Sequence, residues 1–175
     1  MKHVRLAVSG VGLLALVWIA WQVLFPGLVG GGASANLQEL RAVNIVVEAL
    51  SPDAEREQIT RGLLEDQVLV ALRSKTPNLR FDSGVLPYLY INLTLMSSDL
   101  GYTGNLYVEL HRPVEILVGV HRFGQKPSRR LPAVVSVWDS GVTIRGPKGE
   151  AADHVRRGLD RMMEQFLADY FRANP

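Results

Sequence analysis

The chain has 175 residues, with 19 Lys and Arg against 17 Asp and Glu, and it contains no cysteine. This length fits one domain, alone or with a targeting segment. Without cysteine the chain can form no disulfide bond, no thiolate metal site and no cysteine-linked lipid anchor. Because Lys2 and Arg5 are the only charged residues before position 36, the rest of the chain is electrically balanced. Such balance argues against nucleic-acid binding.

An apolar segment at residues 6–25 follows the basic residues at the N-terminus. Sixteen of its 20 positions are Ala, Val, Ile, Leu, Phe or Trp, and about 20 helical residues match the ~30 Å hydrocarbon core of a bilayer. Basic residues before such a segment orient the N-terminus toward the cytoplasm. Residues 1–26 are therefore predicted to be a signal-anchor helix or a signal peptide, and residues 27–39 a linker.

An uncleaved anchor and a cleaved signal peptide would both place the N-terminus toward the cytoplasm and the domain on the other side of the membrane. Ala33-Ser34-Ala35 matches the cleavage pattern of signal peptides, whereas the apolar run of 20 residues is longer than the ~7–15 typical of them. An uncleaved anchor would hold the domain at a bacterial inner membrane, facing the periplasm. Cleavage after Ala35 would give a periplasmic or secreted protein.

Residues 40–175 are predicted to form the exported domain. The elements, in chain order, are a strand at 40–50, a helix at 51–75, strands at 79–82, 87–97, 102–120 and 133–139, and a helix at 150–172. Pro113 indicates a bulge or an edge position within its strand. The order β-α-β-β-β-β-α predicts an α+β fold, a two-layer sandwich in which two helices cover one face of a mostly antiparallel sheet of four to five strands.

Two similar triplets lie on the predicted helices, Arg61-Gly62-Leu63 and Arg157-Gly158-Leu159. Each glycine is interpreted as a point where its helix approaches a neighbouring element closely, since glycine has no side chain to hold the two apart.

Five segments of the domain are distinctive in combination. They are VVEALSPDA at 46–54, PYLYIN at 87–92, LYVEL at 106–110 with Pro113-Val114 after it, VWDSG at 137–141 and FLADYFRANP at 166–175. Together they resemble a family of small exported bacterial proteins without an assigned activity. The resemblance implies export and a compact domain, and it carries over no functional residue.

The element order is also similar, more loosely, to that of small envelope lipoproteins that assist lipopolysaccharide, curli or ABC-transport machinery. That similarity concerns the fold alone. Because the cysteine that carries the lipid in those lipoproteins is missing here, their mode of anchoring does not transfer.

The sequence shows no catalytic signature. The histidines His3, His111, His121 and His154 lack the H-x-x-x-H spacing of a metal site. A G-x-S-x-G nucleophile elbow is also absent. The protein is therefore predicted to be non-enzymatic, with no catalytic residue, no metal and no other cofactor.

Strand parity predicts a surface rich in aromatic and polar side chains on the sheet face opposite the helices. If the aliphatic residues of the two long alternating strands face the core, the other parity points away from it. Trp138 joins that surface if Val135 and Val137 point inward. The resulting candidate docking residues are Tyr88, Tyr90, Tyr107, Glu109, His111 and Trp138. Tyr and Trp are enriched at interfaces, although tyrosines on an open sheet can also simply pair across strands and stay solvated.

A basic cluster lies at residues 121–130 and contains no acidic residue. Its permanently charged basic residues are Arg122, Lys126, Arg129 and Arg130. The cluster is predicted either to contact anionic lipid headgroups, where each basic residue contributes ~1 kcal/mol, or to be a solvated hairpin loop.

The leading interpretation is an exported envelope domain that acts as a protein-interaction or assembly module, with a protein partner or a second copy of itself. The N-terminal helix would tether it to the membrane. The alternative is a periplasmic carrier that holds a lipid or another apolar ligand between helices and sheet. The carrier predicts an apolar cavity lined by residues such as Met162, Met163 and Phe166.

Overall fold

The computed structural model of the chain describes residues 35–84, 86–118 and 129–175. A 3₁₀ turn at Ala35–Leu37 comes first, followed by β1 (Ala42–Val47), α1 (Pro52–Arg56), α2 (Arg61–Arg73), β2 (Arg80–Phe81), β3 (Tyr88–Ser97), β4 (Tyr102–Val118), β5 (Arg129–Gly146) and α3 (Ala151–Ala173). The fold is α+β, as predicted. The predicted hydrophobic helix at residues 1–26 lies outside the described residues. Across the described ranges, no helix has the length and apolarity needed to cross a membrane.

The five strands form one sheet in the order β2-β1-β3-β4-β5. β1 runs parallel to both β2 and β3, whereas β4 is antiparallel to β3 and to β5. The sheet is therefore mixed: its two long pairings are antiparallel, as expected, and β1 adds two short parallel pairings that were not predicted. The parallel pairs arise because the chain leaves β1 and returns through α1 and α2, and such a helical crossover brings strands back in the same direction.

The helix predicted at 51–75 is two helices. The Ser51 hydroxyl accepts a hydrogen bond from the Ala54 amide and caps α1, and the Thr60 hydroxyl caps α2 in the same way through the Leu63 amide. Between them Gln58 adopts a φ of 61°, in the left-handed region that helices do not use. This break turns Ile59 into the core, where it is fully buried.

The helices α2 and α3 pack against each other and against one face of the sheet. The periodic stripe of α3 is buried as expected; it comprises Val155, Leu159, Met162, Met163, Phe166, Leu167 and Tyr170. A Cβ on Gly158 would lie 3.2 Å from the Val142 side chain, whereas one on Gly62 would meet nothing within 4 Å. The close-approach interpretation is thus right for Gly158 and wrong for Gly62.

The core also includes the segment that precedes β1. Leu37 lies in the range predicted as linker, yet its side chain is fully buried. The Asn174 side chain holds this segment to the end of α3, because its amide donates to the Leu37 carbonyl at 3.0 Å and its oxygen accepts from the Glu39 amide at 3.0 Å.

β5 is much longer than the strand predicted at 133–139. Residues 140–146, which were expected to form a glycine-rich connection, continue the strand and pair with β4 as far as Gly146 opposite Tyr102. Ile144 is buried and Val142 packs against the core. The glycines of residues 140–146 suggested a loop. The alternating apolar residues Val142 and Ile144 instead make this stretch a strand.

β4 and β5 continue beyond the rest of the sheet as a two-stranded ribbon. The last β3–β4 pair is Tyr88 with His111, but β4 and β5 stay paired from Arg112 opposite Val135 to Val118 opposite Arg129. These seven pairs, residues 112–118 and 129–135, are called the ribbon below. Pro113 lies in the ribbon, where β4 has lost β3 as its neighbour, which confirms the predicted edge position.

Candidate docking face

The sheet face turned away from the helices, called the open face below, carries the polar parity of β3 and β4. Even-numbered residues of β4 from 102 to 110 are buried and the odd-numbered residues between them are not. β3 alternates in the same way. The open face therefore carries Tyr88, Tyr90, Tyr107, Glu109 and His111, and their role in docking stays a prediction.

His111 is the centre of an aromatic cluster on this face. Its ring stacks on the Tyr88 ring with centroids 4.9 Å apart and planes 3° from parallel. The Tyr90 ring meets it edge-on at 5.8 Å. The Nε2 atom of His111 lies 2.8 Å from Oε2 of Glu109. These contacts fix the orientation of three rings and one carboxylate before any partner binds.

Glu48 joins this cluster from the end of β1. The parallel pairing aligns Val47 with Ile91, so the next residue, Glu48, reaches the side chains of β3. The Asn92 amide donates a hydrogen bond to its carboxylate. A hydrogen bond between the Tyr90 hydroxyl and this carboxylate, helped by burial and by the negative charges of Glu48 and Glu109, raises the pKa of Tyr90 to about 12. Sequence parity alone did not identify Glu48 as a member of this surface.

Asp139 adds a third carboxylate. It is the register partner of Glu109 and shares its face of the sheet. The central open face contains Asn44, Val46, Glu48, Tyr88, Tyr90, Asn92, Tyr107, Glu109, His111, Asp139 and Gly141. Three of these described positions are acidic and none is Lys or Arg. The centre of the open face is therefore aromatic and negatively charged, whereas Arg80 and Arg145 share its parity toward the ends of the sheet.

The Tyr107 ring lies over a glycine. Gly141 is its register partner on β5, and a Cβ there would lie 2.5 Å from the ring. The ring consequently covers the glycine backbone, while 46% of Tyr107 remains exposed. Gly141, which suggested a loop in the sequence, is thus a strand residue whose missing side chain leaves room for the Tyr107 ring.

Trp138 does not belong to the open face, and its prediction was wrong. It is 3% exposed, and its ring packs edge-on against Phe166 of α3 at 5.1 Å. The cause is a β-bulge: Leu110 pairs with Trp138 but His111 pairs with Ser136, which leaves Val137 as an extra residue in β5. One extra residue reverses the parity of the strand on either side of it, so that Val135 and Trp138 lie on the same side of the sheet.

The four basic residues predicted to contact lipid are only partly described. Arg122 and Lys126 lie outside the described residues, and so does the side chain of Arg129. Arg130 lies on the ribbon and forms an exposed ion pair with Glu115, with Nη1 and Oε2 separated by 2.8 Å. Such an exposed pair contributes little to stability and leaves the basic cluster's role a prediction.

Other described surfaces offer less chemistry. A shallow depression of about 700 Å³ lies beside the β3–β4 turn, between the exposed side chains of Met96 and Leu100 and the backbone of Gly146. No three His, Asp or Glu side chains of the described ranges approach one another closely enough to hold a metal ion.

The comparisons with known proteins add no assignment. No protein-family model matches the chain, and no curated protein matches it significantly. The resemblance to a family of exported proteins stays a prediction.

Proposed function

We propose that the domain is a docking module whose open face binds a protein partner through cationic side chains of that partner. The observation that supports it is the grouping of Glu48, Glu109 and Asp139 among ordered tyrosines on one solvent-facing sheet surface. An envelope location and the tethering of the domain by residues 1–26 belong to the same proposal. They are supported by the apolar sequence of that segment.

The chemistry of the open face favours a cationic partner. Carboxylates attract Lys and Arg over the ~8 Å range of physiological screening, and a cation over a tyrosine ring gains ~0.5–1 kcal/mol at an exposed site. Since Tyr88 and His111 are already stacked, binding need not order them, and the entropic cost of association falls accordingly.

The same charge pattern disfavours self-association through this face. In a symmetric dimer each patch faces its own copy, so the negative patch that contains Glu48, Glu109 and Asp139 would face a second negative patch. Like charges placed against each other at an interface cost several kcal/mol. A different protein is therefore the proposed partner.

A tether to the membrane would strengthen a weak contact. A module confined to a membrane surface meets a co-localised partner at a raised effective concentration, which increases the apparent affinity without new contacts. The anchored and the cleaved form of the chain would have the same docking face, but only the anchored form would gain apparent affinity in this way.

The carrier function is not favoured by the described structure. Met162, Met163 and Phe166 are all at most 3% exposed and belong to the continuous core. Phe166 contacts both Trp138 and Tyr170. Five depressions on the described surface are lined by other residues, and the carrier stays a prediction.

Charge reversal tests the proposal. Full-length chain carrying Asp139→Lys is compared with the Asp66→Lys variant, which makes the same charge change on an exposed residue of α2. After crosslinking in cells, the proposal expects Asp139→Lys to lose the captured partner and Asp66→Lys to retain it. Equal capture by both variants contradicts the docking face.

A further inference from the structure

The ribbon has one apolar side that lies outside the described core. In an antiparallel pair, register partners project to the same side, and β4 carries its even-numbered residues on the helix side. The helix side of the ribbon therefore carries Arg112 at its base and five aliphatic residues beyond it, of which Ile116 is exposed and the other four are half-buried: Val114, Ile116, Leu131, Ala133 and Val135. None of them belongs to the buried core or to the apolar residues that pack against it.

The opposite side of the ribbon is more polar. Its described side chains are Pro113, Glu115, Arg130, Pro132 and Val134, and the two charged ones pair with each other. A two-stranded ribbon is marginally stable alone in water, and the aliphatic side of this one does not pack into the described core. The ribbon is thus amphipathic and would gain stability if an apolar phase covered its helix side.

The base of the ribbon is where the chain joins the domain from residues 1–34. Nη1 of Arg112 donates to the carbonyl oxygens of Asn36 at 2.6 Å and Gln38 at 3.2 Å. The Asn36 amide donates to the Val137 carbonyl at 2.9 Å. Arg112 has helix-side parity, so residues 36–38 lie at the base of the ribbon on its apolar side.

The length of that outside segment suggests what covers the ribbon. Residues 6–25 are the apolar run and residues 27–35 the small-residue linker. An extended linker of nine residues spans at most ~30 Å, while the seven pairs of the ribbon extend over ~20 Å. If residues 1–26 are anchored in a bilayer, the ribbon therefore lies within reach of its surface.

We infer that the helix side of the ribbon rests on the lipid bilayer, with Ile116 and Leu131 in the interfacial region and Glu115 and Arg130 facing water. This inference depends on the tethering part of the proposed function. It adds a second, interfacial contact that would hold the domain in one orientation instead of leaving it to swing on its linker. Apolar side chains that enter the interfacial region are removed from water, which favours the contact.

A unique label tests the contact, because the natural chain has no cysteine. Ile116→Cys and Val134→Cys are matched, since these residues are 44% and 45% exposed and lie on opposite sides of the ribbon. Each variant, as full-length chain, is labelled with an environment-sensitive fluorophore. The labelled chains are reconstituted into vesicles of phosphatidylethanolamine and phosphatidylglycerol that contain a spin-labelled quencher lipid.

The inference expects at least twofold stronger quenching at position 116 than at position 134. Equal quenching at the two positions overturns it, and so does formation of a disulfide-linked dimer by unlabelled Ile116→Cys in place of lipid contact. Flotation of the vesicles measures the anchor separately. A chain that floats without quenching contradicts the ribbon contact alone, whereas a chain that fails to float contradicts both the anchor and the contact.

Discussion

The indole nitrogen of Trp138 donates a hydrogen bond to the Asp169 carboxylate, across 3.0 Å between β5 and α3. Asp169 also accepts a hydrogen bond from Arg172 at 2.7 Å. Trp138 is therefore a core residue with a satisfied polar group, since a buried indole N–H normally finds a partner. Its part is to join the sheet to the long helix, on the side opposite the proposed docking surface.

Asp169→Ala is expected to destabilise the domain by about 1–3 kcal/mol, because the buried indole N–H of Trp138 loses its acceptor. Asp169→Asn keeps an acceptor oxygen and is expected to cost less. Urea unfolding followed by circular dichroism measures both changes. Capture of the partner should be unaffected in both variants, and wild-type stability in Asp169→Ala would show that the hydrogen bond contributes nothing.

Tyr90 is expected to titrate near pH 12, as observed by phenolate absorbance, and Tyr90→Phe should remove that step. Its folded pKa exceeds the ordinary value of 10.0, so the folded protein holds the proton more tightly than the unfolded chain. The phenol's contribution to stability is thus fully present below pH 10 and is lost as the pH rises toward 12.

Glu48→Gln isolates the cause of that shift. Removing the carboxylate charge should move the Tyr90 pKa back toward 10.0, because the hydrogen bond to Glu48 is the largest contribution to it. An unchanged titration in this variant would mean that Glu48 does not reach the Tyr90 hydroxyl in solution.

Gly141→Ala is expected to destabilise the domain by about 1–3 kcal/mol, the usual range for overpacking. The new Cβ would lie 2.5 Å from the Tyr107 ring, so the ring must move. In a Tyr107→Ala background the clash is gone, and the same change is expected to be neutral or stabilising by ~0.4–1 kcal/mol, as it reduces the freedom of the unfolded chain.

Denaturant unfolding of the four proteins in this double-mutant cycle measures the coupling between Tyr107 and Gly141. If the changes in unfolding free energy of the two single variants simply add up in the double variant, the contact between the Tyr107 ring and Gly141 is contradicted. Val70→Ala, at an exposed position of α2, is the control. Its effect on the unfolding free energy should add to that of Tyr107→Ala and to that of Gly141→Ala.

Arg112→Ala is expected to loosen the segment before β1, because it removes the donor to the Asn36 and Gln38 carbonyls. Hydrogen exchange should accelerate at the Leu40 amide, which donates to the Leu37 carbonyl, and stay unchanged in α2. Uniform acceleration throughout the domain would instead indicate global destabilisation.

The sequence predicts those parts of the fold that depend on local periodicity. The alternation of β3 and β4 correctly places Tyr88, Tyr90 and Tyr107, because one buried sheet face enforces a period of two. The stripe of α3 is equally clear. In both cases a repeating apolar pattern spans ten or more residues and leaves one orientation that buries it.

Non-local events explain the parts that sequence analysis missed. The extra residue Val137 has no local signature, yet it reverses the parity that assigned Trp138. Glu48 reaches Tyr90 because β1 is parallel to β3, a pairing set by the helical crossover and not by either strand alone. The break at Gln58 likewise depends on the core position available to Ile59.

The most direct test of the docking face is site-specific photocrosslinking of the full-length chain in cells. Tyr107→benzoylphenylalanine places the probe on the open face, and Val70→benzoylphenylalanine places it on the exposed side of α2, where Val70 is 69% exposed. The account predicts a discrete crosslinked partner from position 107 that is absent from position 70 and lost when Asp139→Lys is added. The same products from both positions, or a product at 107 that survives the charge reversal, would contradict it.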